Sequence, residues 1–348
     1  MGAGSHTRAA EVARGLRLDG MSLPVEAYRL PGISPRAYQH PADRAATAAL
    51  GRIPYLDQVV RQLVALGYER ALRAVSLGSA VRLGQDQLPG VWVLHRQACN
   101  ALDIEQVPDL YLTQFPFANA AAIGTKKPIV VINSELVRLL DDDGRRAVLA
   151  HEAGHVHSDH VLYHTALIIL LQIGTRPLPT LAGLPLLAIR LALLEWFRAA
   201  ELSCDRAAAL VTRDPLAVCR SLMVLAAGAA AEDLSLDAFI AQASEYDEGG
   251  SGADKLTKLV NDMHLTHPMP VRRVRAVLDW VRGGDYDRIK DGEYMRRGQE
   301  PPLRDETDAA QGYYAGRMSD VFGQVGSSVG EVGEQLGDWL RRQRTPSG

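Results

Sequence analysis

Apolar positions change their period several times along the 348 residues of the chain. Residues 20–50 carry Pro24, Pro31, Pro35 and Pro41 and read as an irregular wrapping arm. Over 54–76, Leu56, Val59, Val60, Leu63, Val64 and Leu66 recur at helical spacing. A turn at Gly84-Gln85-Asp86 and Pro89 leads to a second helix over 91–102. The period then drops towards two. Residues 109–115 alternate, 119–123 form a short extended piece, and 128–132 are compact and β-branched, so three strands are expected. Helical spacing returns at 135–140. It returns again behind Asp141-Asp142-Asp143, whose carboxylates suit a helix N-terminus.

Two apolar stretches follow, 161–173 and 181–197, the first expected to continue the helix begun behind Asp141. At 1.5 Å per residue they span roughly 20 and 25 Å, short of a hydrocarbon core of about 30 Å. Tyr163, His164, Gln172 and Arg190 also interrupt them. A buried helical hairpin is the plain reading, and a hairpin meeting a membrane is the alternative. Helices are expected over 215–227, 236–244 and 271–281. Beyond Gly283 the chain turns polar. Its end, 321–340, spaces Val321, Val325, Val329, Val332, Leu336 and Trp339 at nearly heptad intervals among glycines that weaken an isolated helix. Such a segment becomes helical against a partner, a membrane surface or the rest of the chain. The division expected is a 1–84 arm and helical region, an 85–283 domain and a 284–348 tail. The fold class is α+β, mostly helical, with a small mixed sheet beside the helix behind Asp141.

A hydrophobic fraction of 47% is ample for a core, and a net charge of −3 without long basic runs argues against nucleic acid as a partner. Three cysteines, Cys99, Cys204 and Cys219, do not make a disulfide framework. With no apolar h-region in residues 1–20, this points to the cytoplasm, free or at the cytoplasmic face of a membrane.

The chemistry concentrates in Ala150-His151-Glu152-Ala153-Gly154-His155. On a helix, residues four apart share a face, so His151 and His155 can grip one zinc ion. Glu152 is rotated away from that face and can reach a water on the metal without being a ligand itself. Gly154 in a helix interior costs about 0.8–1 kcal/mol relative to Ala, which calls for a close neighbour. A catalytic zinc needs a third protein ligand and an open position. Glu201, in Arg198-Ala199-Ala200-Glu201-Leu202-Ser203-Cys204-Asp205, is the candidate, placed on a helix that returns after the apolar hairpin. Asp205, one turn on, can accept the free ring N–H of a ligand histidine and so orient it. The Cys204 thiol is a competing ligand, with a small core side chain as the plain alternative. His157, His160 and His164 are expected on the face opposite His151.

His151-Glu152-Ala153-Gly154-His155, Glu201-x-x-x-Asp205 and Thr266-His267-Pro268-Met269-Pro270-Val271-Arg272-Arg273 together resemble the HtpX and CAAX prenyl endopeptidase family of gluzincin metallopeptidases. Asn119-Ala120 matches an Asn-Ala pair that this family carries on an edge strand beside its cleft. The resemblance covers roughly residues 85–280. It implies hydrolysis of peptide bonds in protein or peptide substrates. It also implies Zn2+ held by His151, His155 and Glu201, with Glu152 as general base. His267 would donate to the oxyanion or, with Arg273, support the ligands; capping a turn ahead of Pro268 is its bland role. The chain lacks the long N-terminal spanning helices of integral members, so membrane contact would fall to 161–197 or 321–340. A metal-containing scaffold or chaperone-like client binder is the competing class, and an intact Glu152 argues for the enzyme.

Overall fold

A computed structural model of the chain describes residues 28–50, 60, 74, 78–115, 118–124, 127–173, 180–248 and 269–300. The 54–76 helix, apart from positions 60 and 74, His267 and the 321–340 segment lie outside the described residues.

Four strands form one mixed sheet: β1 (Val81–Arg82), β2 (Asp109–Thr113), β3 (Ala120–Ile123) and β4 (Ile129–Asn133), in the order β1-β2-β4-β3. β2 and β4 are parallel, with Leu110 opposite Val130, and the outer pairs are antiparallel, with Ala120 opposite Ile132. Leu110, Ala122, Val130 and Ile132 turn one face of the sheet to the helices, as the period-two pattern requires. β3 is left at an edge.

The helices in chain order are α1 (Pro41–Leu50), α2 (Pro89–Ala101), α3 (Ser134–Leu139), α4 (Asp142–His157) and α5 (Val161–Ile173). They continue with α6 (Thr180–Thr212), α7 (Pro215–Ala227), α8 (Leu236–Glu248), α9 (Pro270–Arg282) and α10 (Asp285–Lys290). Three differ from the expected pattern. Within the proline-rich arm, Pro41 opens helix α1: at the first helical position proline loses no needed N–H, and its φ is already helical. The helix behind Asp141 does not run on through residue 161. It ends at His157, where Asp159 takes a left-handed φ of 56° and His160 N–H donates to the His155 carbonyl at 3.0 Å. This turn separates α5 from α4, and α5 packs on α6 and β3. The second apolar stretch, in contrast, does not stop near residue 197; no breaker follows, and α6 continues to Thr212 as one helix of 33 residues.

α4 is the central helix, with every residue from Ala147 to His155 buried. It crosses α6 at small side chains. A Cβ on Gly154 would stand 3.0 Å from Ala207 Cβ and 3.2 Å from Cys204 Cα, which is the close neighbour that the glycine calls for. Gly154→Ala gains about 1 kcal/mol of helix propensity but overpacks this crossing by ~1–3 kcal/mol. Because the nearest backbone atom cannot move without opening the crossing, a net loss of about 1–2 kcal/mol is expected in urea unfolding. An unchanged or raised midpoint would contradict this close packing.

Among the described residues, Pro215–Asp233 is long and apolar enough to span a bilayer, yet Ala217, Val218, Cys219, Leu222 and Met223 are buried against neighbouring helices. In the 161–197 hairpin, Ala166, Leu167, Leu170, Leu193 and Trp196 pack with Ala42, Ala46 and Leu50 of α1. The arm is tied to both ends of the domain at Asp103, which pairs with Arg29 and Arg297 and accepts from Gly32 N–H at 2.7 Å.

Candidate active site

Asp141 starts α4 by accepting from Gly144 N–H at 2.8 Å through its side chain. Three turns of helix later, His151 and His155 emerge side by side, their ring centroids 5.0 Å apart. α6 crosses in the opposite chain direction, so His151 meets Asp205 while His155 meets Glu201. His151 Nδ1 lies 3.0 Å from Asp205 Oδ1. A carboxylate only accepts, so Nδ1 carries a proton, and in the neutral ring Nε2 keeps its lone pair. Glu201 Oε1 lies 3.0 Å from His155 Nε2 and 3.4 Å from His151 Nε2.

Arg273, at the start of α9, closes the cluster. Its Nε and Nη2 donate to Asp205 Oδ2 and Oδ1 at 2.8 and 2.6 Å, and Nη1 reaches Glu201 Oε2 at 2.8 Å. The guanidinium therefore occupies the outer oxygen of Glu201 and leaves Oε1 to the imidazoles. Glu201 and Asp205 are each 1% exposed, so these charges are buried as a set. Burial raises the Asp205 pKa, but the Arg273 charge and its hydrogen bonds outweigh it and hold the carboxyl below its usual range.

Whether a metal suits these residues is decided by the lone pairs. With both rings neutral and protonated at Nδ1, each Nε2 faces Glu201 Oε1, at 3.4 and 3.0 Å, and all three atoms are acceptors. Such atoms repel unless a cation sits among them. The same demand appears in the titration. Burial drives His155 down to about 3; it also opposes charge on His151, but Glu201 and the bonds from Asp205 and Glu201 outweigh it and push His151 up to about 10. A divalent cation would satisfy all three donors together, so the residues fit one. His151, His155 and Cys204 also have ligand atoms within 4.8 Å of one another. The thiol is the poorer donor: burial holds its pKa well above the usual thiol range, and Sγ lies 3.7 Å from His160 Nδ1.

Glu152 is 5% exposed and, with His151, lines a cavity of about 340 Å³. Asn119 and Ala120, at the start of edge strand β3, and apolar side chains of α4 and α7 line the same cavity. Of the residues singled out from sequence, His151, Glu152, His155, Glu201, Asp205 and Arg273 are brought together, and Asn119 and Ala120 line the same cavity. His267 lies outside the described residues; Met269, two positions on, lines the cavity.

His160 and His164 do not lie on an opposite face. The turn after His157 brings their rings to 5.4 and 5.8 Å from that of His155. His157 instead bonds Tyr38 Oη through Nδ1 at 2.8 Å. Asp43 of α1 was not visible as a site residue from sequence. Its Oδ2 lies 3.1 Å from His160 Nε2, and His160 Nδ1 lies 3.3 Å from His155 Nδ1. The five-residue spacing from His155 to His160 offered a signal for the second residue of this chain and none for the first.

A helix bearing two histidines and an acid, crossed by a second helix bearing a glutamate, defines a metallopeptidase, a hydrolase of peptide bonds. The model of peptidase family M48 matches residues 93–281, more than half of the chain, and the chain belongs to that family. This agrees with the resemblance to the HtpX and CAAX prenyl endopeptidases. The chain is 37% identical over 254 residues to the plastoglobule-localized metallopeptidase 48, chloroplastic, of Arabidopsis thaliana, over 72% of this chain and 73% of that one. No solved structure matches it.

Proposed function

We propose that the protein is a zinc-dependent endopeptidase in which His151, His155 and Glu201 hold the ion and Glu152 is the general base. The observation that carries this reading is the convergence of two imidazole Nε2 atoms on Glu201 Oε1, with Glu152 beside them on the cavity wall. Two imidazoles and one carboxylate are a donor set suited to zinc with an open position. A zinc ion bound there supplies Lewis acidity to the attacking water and to the scissile carbonyl. Glu152 accepts the proton of that water as it attacks and hands it to the leaving amine. Asp205 keeps His151 in the tautomer that offers Nε2, and Arg273 fixes Asp205 and the outer oxygen of Glu201.

Substrate binding follows from the sheet edge and the cavity wall. The Ala122 carbonyl faces outward from β3, 3.0 Å from His164 Nδ1. Ala120, two residues earlier, points its backbone to the same side. With the Ala122 carbonyl taken by His164, an extended peptide can pair with the strand at Ala120 by β-addition. Beside the strand, Leu136, Val148, Val218, Leu222 and Leu225 offer an apolar recess in the same cavity. We infer protein or peptide substrates bound extended, with a large apolar side chain next to the scissile bond. Cys99, Cys204 and Cys219 are buried free thiols, which suits a reducing compartment.

The test is cleavage of a peptide library by the zinc-loaded protein, with and without chelator. Cleavage enriched for a large apolar residue at one position, lost with chelator and restored by zinc, is expected. A protein that carries stoichiometric zinc and cuts no member of the library would overturn the reading.

A further inference from the structure

We propose that Asp43 and His160 form a positioning relay for His155, which makes helix α1 part of the metal site although it precedes the family-matched region, 93–281. The inference rests on the metal-site reading above.

The two imidazoles of the site are supported unequally at first sight. His151 has its Nδ1 tied directly to Asp205, at 3.0 Å. His155 has no carboxylate at its Nδ1 among the described contacts; it has another imidazole, His160, at 3.3 Å. An imidazole can accept or donate there, and which it does decides the state of His155. Asp43 removes the ambiguity. Its Oδ2 stands 3.1 Å from His160 Nε2. The approach is off the line of a hydrogen bond, but a carboxylate only accepts, so its proximity favours the proton on Nε2 over a second lone pair. With that proton on Nε2, Nδ1 can face His155 with its lone pair. It accepts the Nδ1–H of His155, and His155 Nε2 then keeps its lone pair for the cation it would share with Glu201 Oε1. Reversed, the relay would protonate His155 at Nε2 and spoil it as a ligand.

Asp43 is built to hold this polarity. It is 0% exposed, as against 2% for His160. Its Oδ2 accepts from Ser203 Oγ at 2.6 Å, and its Oδ1 accepts from Thr47 Oγ1 at 3.2 Å. Ser203 in turn accepts the His40 N–H at 2.9 Å, so its hydroxyl proton is directed at Asp43. Burial raises the Asp43 pKa, but His160 and these donors outweigh it, and the group stays an acceptor. The turn at Asp159 is what aims His160 inward, and α5 and α6 close over it with Trp196 edge-on at 5.4 Å. Each zinc-binding imidazole thus ends on a buried aspartate, Asp205 directly and Asp43 through His160.

The experiment is zinc affinity measured by chelator competition on the full chain, with the thermal midpoint of the metal-free protein and the visible spectrum of the cobalt-substituted protein as companion readouts. Outer partners of metal ligands are worth 10–100-fold in metal affinity. Asp43→Asn is expected to lose affinity by that factor and to alter the cobalt spectrum. Leu50→Ala, which loosens the packing of α1 two turns away from Asp43, should stay within about twofold of the starting affinity. If Asp43→Asn does not fold, His160→Gln carries the same test with the same expected loss. Unchanged affinity in the folded variant overturns the relay. So does an equal loss in Leu50→Ala, because that would mark α1 as packing alone. Failure of the relay is distinguishable from failure of the metal site: in the latter case the unaltered protein itself binds no zinc, or Glu201→Gln binds it equally well.

Discussion

Glu152→Gln is expected to keep its zinc and lose proteolysis. The substitution preserves shape in a nearly buried position on the cavity wall, so neither packing nor the ligand set is disturbed. What it removes is a group able to take a proton from the attacking water, and general-base catalysis contributes typically 10²–10⁴-fold. A fall in kcat of about that size on a library peptide is therefore expected. Zinc measured on the same sample should remain near one per chain, as in the unaltered protein. Full activity in this variant, with contaminating protease excluded, would sink the assignment of Glu152.

Glu201→Gln is expected to lose the metal. The choice of Gln over Ala matters, because Glu201 also supports Arg273, 2.8 Å from its Oε2. Glu201→Ala would leave a buried guanidinium with Asp205 as its remaining carboxylate, and breaking one side of a buried pair costs about 3–5 kcal/mol. Loss of zinc would then be confounded with loss of the fold. A glutamine amide can still accept from Arg273, and its NH2 can donate to the ring nitrogens that face Glu201 Oε1 at 3.0 and 3.4 Å. The metal-free protein should therefore unfold close to its original midpoint while zinc is stripped by a chelator that the unaltered protein resists. Proteolysis should fall below detection. Zinc stoichiometry and affinity equal to those of the unaltered protein would remove Glu201 from the ligand set and bring forward the Cys204 thiol.

Both results depend on features of very different legibility. The pairing of His151 with His155, and the offset of Glu152, follow from helix geometry within five residues, so local pattern suffices. The three strands between 109 and 133 announce themselves in the same way, through alternation and β-branching. Glu201 and Asp205 could be nominated because residues four apart share a face. Their oxygens could not be assigned, because that depends on how α6 is set against α4.

The sequence by itself determined which side chains can ligate, which can take a proton, and which faces of their helices they share; these are short-range consequences of 3.6 residues per turn. The tertiary structure decided the rest. Gly154 against Ala207 and Cys204 sets the crossing that seats Glu201 over both rings. Arg273 joins Asp205 across 68 positions of sequence. The single left-handed residue Asp159 turns His160 from the end of an expected helix into a neighbour of His155, and a proline-rich arm folds into the helix that presents Asp43. Contacts of this kind arise from packing between distant elements, and packing is a property of surfaces that exist only once the chain has folded.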